Sequence, residues 1–183
     1  EPSVEQRVEQ NKEEKYMIAE YAASLVEQGD FVYIDAGTTT GYMLGYLKNS
    51  KSVFVTNAVT HAKKLALQGN KVILIEGELK GSTEALVGGY AAASLKKFHF
   101  TKGFFGTNGL TKKAGFTTPD TSEALVKNKA MEQCKECYVL ADQSKFDKIS
   151  PVTFQQFGRA TIITESKPEG YMECENIIVV REN

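Results

Sequence analysis

Residues 31–41 read Phe31-Val32-Tyr33-Ile34-Asp35-Ala36-Gly37-Thr38-Thr39-Thr40-Gly41. The first four form an unbroken apolar run, the pattern of a short strand covered on both faces. Gly37 lets the backbone turn tightly, and the stretch beyond it is helical in pattern to about residue 48. The loop therefore puts outward-pointing N–H groups and three hydroxyls at a helix N-terminus, a place suited to an anion by charge and by hydrogen bonding. A threonine there also serves as an ordinary helix cap. Three consecutive threonines between glycines exceed what a cap requires.

The same rhythm repeats on either side. Upstream, residues 1–14 are polar and charge-dense, with Val4 and Val8 as isolated apolar points, and predict a linker or thin helical arm ahead of a domain spanning 15–183. From Lys15, the pairs Met17/Ile18, Tyr21/Ala22 and Leu25/Val26 mark one face of a helix, with Gly29 as its stop. Downstream, strands are expected at 53–55, 71–75, 98–105, 138–140, 161–164 and 177–180. Helices are expected after residue 58 (apolar face Val59, Ala62, Leu65 and Ala66), over 85–95, and over 122–136. Continuous apolar strands separated by helices predict one α/β domain with a parallel sheet covered on both faces.

In such a sheet ligands bind beyond the carboxyl ends of the strands, so each junction carries weight. After the Asp35–Thr40 loop comes Val55-Thr56-Asn57-Ala58, a hydroxyl and an amide in which Asn57 also reads as an N-cap. Next is Glu76-Gly77-Glu78, where Gly77 permits close approach of a ligand or a plain turn. Gly106-Thr107-Asn108-Gly109 and Gly115-Phe116-Thr117-Thr118-Pro119-Asp120 follow, then Ala141-Asp142-Gln143-Ser144-Lys145-Phe146. Together these loops bring hydroxyls, amides, carboxylates and Lys145 to one edge. Threonines and a lysine suit a phosphate, while Asp and Asn suit the hydroxyls of a sugar.

Composition narrows the classes. The chain has 183 residues and a formal net charge of −1, with no cluster of Lys and Arg that would neutralise several nucleic-acid phosphates. No apolar run approaches the ~18 residues of a membrane span, and no signal-peptide pattern opens the chain. The start at Glu1, without methionine, suggests a piece of a longer protein. Three cysteines argue against a disulfide-stapled secreted protein and for a reducing cytoplasm. Cys134-Lys135-Glu136-Cys137 has redox spacing, but it is expected at the end of a helix, where the negative dipole disfavours a thiolate. Cys174, His61 and His99 are unclustered, so no metal site is expected, and no cofactor.

The motifs at 35–40, 56–58, 106–109, 115–120 and 141–146 resemble the C-terminal domain of DeoR-type transcriptional repressors, and 11–15 is similar to the segment after their linker. The resemblance runs from about residue 5 to about 165. It implies a three-layer α/β fold similar to ribose-5-phosphate isomerase and glucosamine-6-phosphate deaminase, and a phosphorylated sugar or sugar metabolite as effector. By motif position it implies Asp35, Gly37, Thr38, Thr39, Thr40, Thr56, Asn57, Asn108, Gly109, Thr118, Asp142 and Lys145 around the ligand, with Glu123 close by; Gly77 and Gly106 join them from their loops. The family's helix-turn-helix is not in this sequence, so DNA binding is expected only through a preceding part of the parent protein.

Two departures from the family pattern stand out. Many relatives carry Gly-Ala-Asp-Gly where this chain has Gly106-Thr107-Asn108-Gly109, and a second glycine in place of Glu78. Asn108 keeps a hydrogen-bonding group and removes a carboxylate. The alternative, an isomerase or deaminase-like enzyme on the same fold, needs a general base, and an asparagine in that loop takes no proton. The expectation is a non-enzymatic sensor, acting as a homo-oligomer because a repressor reading a two-fold operator gains affinity by joining its DNA-binding arms. Phe154 and Phe157 are candidates for that self-contact.

Overall fold

The computed structural model describes residues 11–181. In chain order its regular elements are α1 (Lys12–Ser24), β1 (Phe31–Ile34), α2 (Thr38–Met43), β2 (Val53–Thr56), α3 (Val59–Leu67), β3 (Lys71–Leu74), β4 (Glu78–Lys80), β5 (Ala85–Val87) and α4 (Gly89–Ser94). There follow β6 (Phe100–Phe105), β7 (Gly109–Thr111), β8 (Gly115–Thr118), α5 (Thr121–Glu132), β9 (Cys134–Leu140), β10 (Val152–Gln155), β11 (Thr161–Thr164) and β12 (Ile177–Val179). Short 3₁₀ turns at Leu44–Tyr46 and Gln143–Lys145 extend α2 and follow β9.

The apolar runs form a seven-stranded sheet in the order β12-β11-β9-β6-β1-β2-β3, every neighbouring pair parallel. Side-chain alternation along these strands divides the interior into two cores. Tyr33, Val55, Phe105, Val139 and Ile162 face α4, α5 and a small antiparallel sheet, while Val32, Ile34, Phe54, Phe104 and Ile163 face α1, α2 and α3. The three-layer α/β arrangement read from the sequence is the one observed.

Several local expectations change. The 85–95 helix is half strand: Ala85–Val87 pairs antiparallel with Glu78–Lys80, and Gly88, at φ +91°, breaks the chain before α4 begins. Cross-strand pairing there overrides the helix preference of alanine and leucine. Helix α5 ends at Glu132, because Cys134 is already paired with Phe100 at the start of β9. The CxxC pair thus lies in a strand, with both thiols buried and free. The helical stretch after β1 is α-helical to Met43 and continues as a 3₁₀ turn to Tyr46, close to its expected end. In α3 the buried face is His61 and Leu65, whereas Val59 is 37% exposed and Ala66 is exposed. The domain's first helix starts at Lys12, inside the expected arm; residues 1–10 of that arm lie outside the described residues. Phe154 is 2% exposed and Phe157 packs against the same core, so core packing accounts for both.

Candidate functional site

The carboxyl ends of β1, β2, β6 and β9 open into one cleft of about 390 Å³ between α2, α3 and α5. Its floor is Asp35. The chain leaves β1 with the Asp35 N–H still bonded to Phe104 O at 2.9 Å, which holds the carboxylate beneath the cleft at 1% exposure. One carboxylate oxygen accepts from the Gly106 N–H at 3.1 Å and from the Lys127 ammonium. Lys127 also donates to Gly106 O at 3.0 Å and lies over the Phe154 ring. Burial pushes the Asp35 carboxyl above its ordinary value, and the Lys127 charge and hydrogen bond oppose that push.

One wall is the threonine loop. Thr38 and Thr39 line the cleft at the start of α2, whose first N–H groups have no acceptor within the helix. Thr40 is turned inward, donating to Asp35 O at 2.7 Å and meeting His61 Nε2 at 3.2 Å. His61 lines the cleft from α3, and Gly41 leaves room for its ring, since a Cβ there would sit 3.2 Å from Cε1. Burial pulls His61 down to about 4; a hydrogen bond to the Gly37 backbone opposes this and the Lys64 charge adds to it. The imidazole is therefore neutral at pH 7.

The opposite wall is tied together by a hairpin. Asn57 Oδ1 accepts from Ala36 N at 3.1 Å and its amide donates to Leu86 O at 3.2 Å, so strand β5 fixes the second loop against the first. On the other side of the hairpin Lys80 pairs with Asp120 at 2.7 Å and with Glu123 at 3.3 Å. Lys80 beside Asp120 holds its carboxyl well below the usual range, and Asp120 caps α5 through Ser122 N at 2.7 Å. Asn108 Oδ1 accepts from Thr118 Oγ1 at 3.2 Å, and Lys145 closes the rim from the turn after β9.

Ten expected residues line this cleft: Asp35, Gly37, Thr38, Thr39, Asn57, Gly106, Asn108, Thr118, Glu123 and Lys145. Five do not. Thr40 and Thr56 are fully buried, Thr56 spending its hydroxyl on Ile34 O at 2.6 Å and on Ala58 N at 3.1 Å. Gly77 packs its Cα side toward Ala91 and Leu86 at φ +143°, and a Cβ on Gly109 would overlap the Lys148 carbonyl; both glycines serve close packing. Asp142 is 1% exposed and caps the Gln143–Lys145 turn through Ser144 N at 2.9 Å. Sequence reasoning missed Lys127, His61, Tyr42, Thr60 and Lys64. The signal for Lys127 was its place four residues after Glu123, on the same helix face. Among the described residues no group of three or more His, Cys, Asp or Glu is placed to hold a metal, and no helix is long and apolar enough to cross a membrane.

A parallel sheet whose carboxyl edge opens into one cleft with convergent polar side chains defines an α/β pocket domain. The family comparison gives the class its name: residues 10–166 match the DeoR C-terminal sensor domain, and the chain belongs to that family. As a member it has a ligand-sensing role in transcription regulation. It is 45% identical over 186 residues to the HTH-type transcriptional regulator FruR of Bacillus subtilis (strain 168), covering 99% of this chain and 74% of that protein. To the HTH-type transcriptional regulator IolR of the same organism it is 37% identical, covering 90% of this chain and 66% of that one. The lactose phosphotransferase system repressor of Streptococcus mutans serotype c is 30% identical, with 94% and 70% covered. Among solved structures, ribose 5-phosphate isomerase A of Methanocaldococcus jannaschii aligns with a TM-score of 0.56 at 14% identity, covering 74% of this chain and 55% of that one. A chain of the eIF2B-beta2-delta2 complex of C. thermophilum aligns with a TM-score of 0.55 at 18% identity, covering 81% and 49%. Both likenesses concern the fold.

Proposed function

We propose that this domain binds a phosphorylated sugar or sugar metabolite in the cleft and holds it without turning it over, and that binding modulates a helix-turn-helix portion lying before residue 1 in the whole protein. The observation that carries the reading is the Thr38–Thr39 loop facing the same cleft as Lys145, with Asp35, Asn57 and Asn108 alongside. Phosphate oxygens take the loop N–H groups, the hydroxyls and the lysine; sugar hydroxyls take the carboxylate and amides. The names of the similar regulators support a sugar-linked signal.

The way the carboxylates are held supports retention without turnover. Asp35 is ion-paired with Lys127, and Glu123 with Lys80. Asn108 occupies the fourth-strand loop with an amide that shuttles no proton. Glu84, at the rim, is open to solvent. A cytoplasmic setting fits the three free thiols. Contact with DNA is assigned to the parent protein's other portion, and this chain itself acts as a homo-oligomer.

A thermal-shift panel tests the reading. At a hundredfold excess over Kd a sugar phosphate adds about 2.7 kcal/mol, raising Tm by roughly 5–11 °C for a domain of this size. The matching free sugars give no shift. Common hexose and pentose phosphates that all leave Tm unchanged at millimolar concentration sink the proposal.

A further inference from the structure

Two side chains at the start of α1, the capping Asn11 and Tyr16, contact groups beside the ligand cleft by separate routes. Asn11, the residue that begins the helix, sits in the left-handed region at φ +53° and donates from Nδ2 to Asp142 Oδ1 at 3.3 Å. Tyr16 stacks on Tyr42 with ring centroids 4.4 Å apart and planes 26° apart. Neither partner is arbitrary. Asp142 and Lys145 are the two ends of one tight turn, joined by Lys145 N to Asp142 O at 3.0 Å, and Lys145 lines the cleft. Tyr42 follows Thr38 by four residues and Thr39 by three in α2, so it shares their face, and it lines the cleft as well.

Two of the elements that offer donors to an anion thus also contact the start of α1. We infer that an anion bridging the Thr38–Thr39 loop and Lys145 braces both holds at once and orders the start of α1, so that the state of the cleft is passed to the chain that precedes Asn11. This rests on the proposed anion site and adds its output. The coupling element is the first turn of α1, docked or open. The anion favours the docked form because only there are α2 and the Gln143–Lys145 turn fixed against the same helix. The left-handed backbone at Asn11 belongs to this arrangement: a non-glycine residue there is held in an uncommon conformation by a bond to the ligand-side turn.

Amide hydrogen exchange on this chain, with sodium phosphate against sodium chloride at equal ionic strength, reads the effect directly. Phosphate binding itself is followed by titration calorimetry in parallel. Exchange at Lys15 to Ala19 should slow at least about fivefold, the lower end of coupling between sites. It should slow more than at Leu65 to Gln68, the last turn of α3, which serves as a local-opening reference. In the double variant Asn11→Ala, Tyr16→Ala phosphate should still bind, since neither residue lines the cleft, but about fivefold more weakly because the coupling is reciprocal, while the excess slowing at Lys15 to Ala19 disappears. Phosphate that binds the parent without excess slowing overturns this inference and leaves the site standing. Equal slowing in the double variant does the same. No phosphate binding at all removes the site and this coupling together.

Discussion

The Lys127 ammonium and the Asp35 carboxylate form a buried ion pair under the cleft, 92 residues apart in sequence, the carboxylate 1% exposed. The pair joins the end of β1 to α5, and Lys127 also holds the Gly106 carbonyl. Removing one partner from a buried pair leaves an uncompensated charge, at a cost of about 3–5 kcal/mol. Lys127→Met should therefore lose stability of that order at pH 7.5, and less near pH 4, where Asp35 takes a proton more readily. Urea unfolding of Lys127→Met, Asp35→Asn and the double variant checks this; additive losses in the double variant would show that the two groups do not act as a pair.

His61 predicts an acid weakness. Its folded value of about 4 lies below the ordinary 6.5, so between those pH values the unfolded chain binds a proton that the folded domain refuses. Stability should fall as pH drops through this window by about 1.4 kcal/mol per pH unit, about 3 kcal/mol in all. The midpoint of urea unfolding measured from pH 7 to pH 4 reports it. His61→Gln should flatten that part of the curve, and an unchanged slope would assign the acid sensitivity elsewhere.

Ligand affinity should follow the phosphate rather than the protein across the same range. A phosphate monoester loses its second charge near pH 6. The neutral His61 in the wall gains no compensating charge there. Affinity should therefore weaken below about pH 6 in calorimetric titrations, and a constant affinity from pH 8 to pH 5 would indicate a ligand of another kind.

Lys145→Ala should weaken a phosphorylated ligand by about 2 kcal/mol, the scale of one charge-assisted hydrogen bond. Gly109→Ala is its counterpart. That glycine packs against the Lys148 backbone, so the variant should lose about 1–3 kcal/mol of stability and keep its affinity when folded. Reversal of the two results would exchange the structural and ligand-facing assignments.

Turnover has its own measurement. A bound sugar phosphate in deuterated water should show no exchange at the carbon beside the carbonyl above the protein-free control. Exchange that is catalysed, and lost in Asp35→Asn, would make the domain an enzyme. Proton abstraction without a placed base forfeits a factor of about 10² to 10⁴.

The parallel sheet was readable because its strands are unbroken apolar runs such as Phe31–Ile34, buried in the sheet centre, and Ile177–Val179, half-buried at its edge. The antiparallel strands were not. Ala85–Val87 and Glu78–Lys80 are three residues each, and only their cross-strand pairing makes them strands. In the site, residue type marked the loops correctly but not which atoms are free. Thr40, Thr56 and Asp142 look identical in sequence to ligand groups, yet both hydroxyls and the Asp142 Oδ1 are spent on nearby groups, while Asp142 Oδ2 is buried without a hydrogen-bond partner. Lys127 was missed for the opposite reason. A lysine beside Asn128 and Lys129 on a helix reads as solvated surface until the fold turns it toward Asp35.

The strand order has a consequence in time. β1 lies between β2, its near neighbour in sequence, and β6, which begins at Phe100. The centre of the sheet therefore stays open on the ribosome until residue 105 has emerged, while the Thr38–Thr39 loop is made early and has nothing to face. Lys127 and Lys145 arrive later still. At synthesis rates of ~5–20 residues per second, roughly 5–20 s separate the loop from the last wall of its pocket. A nascent chain of this domain is thus blind to its ligand for most of its synthesis, and must keep Val32, Phe54 and their neighbours from aggregating without a ligand's help.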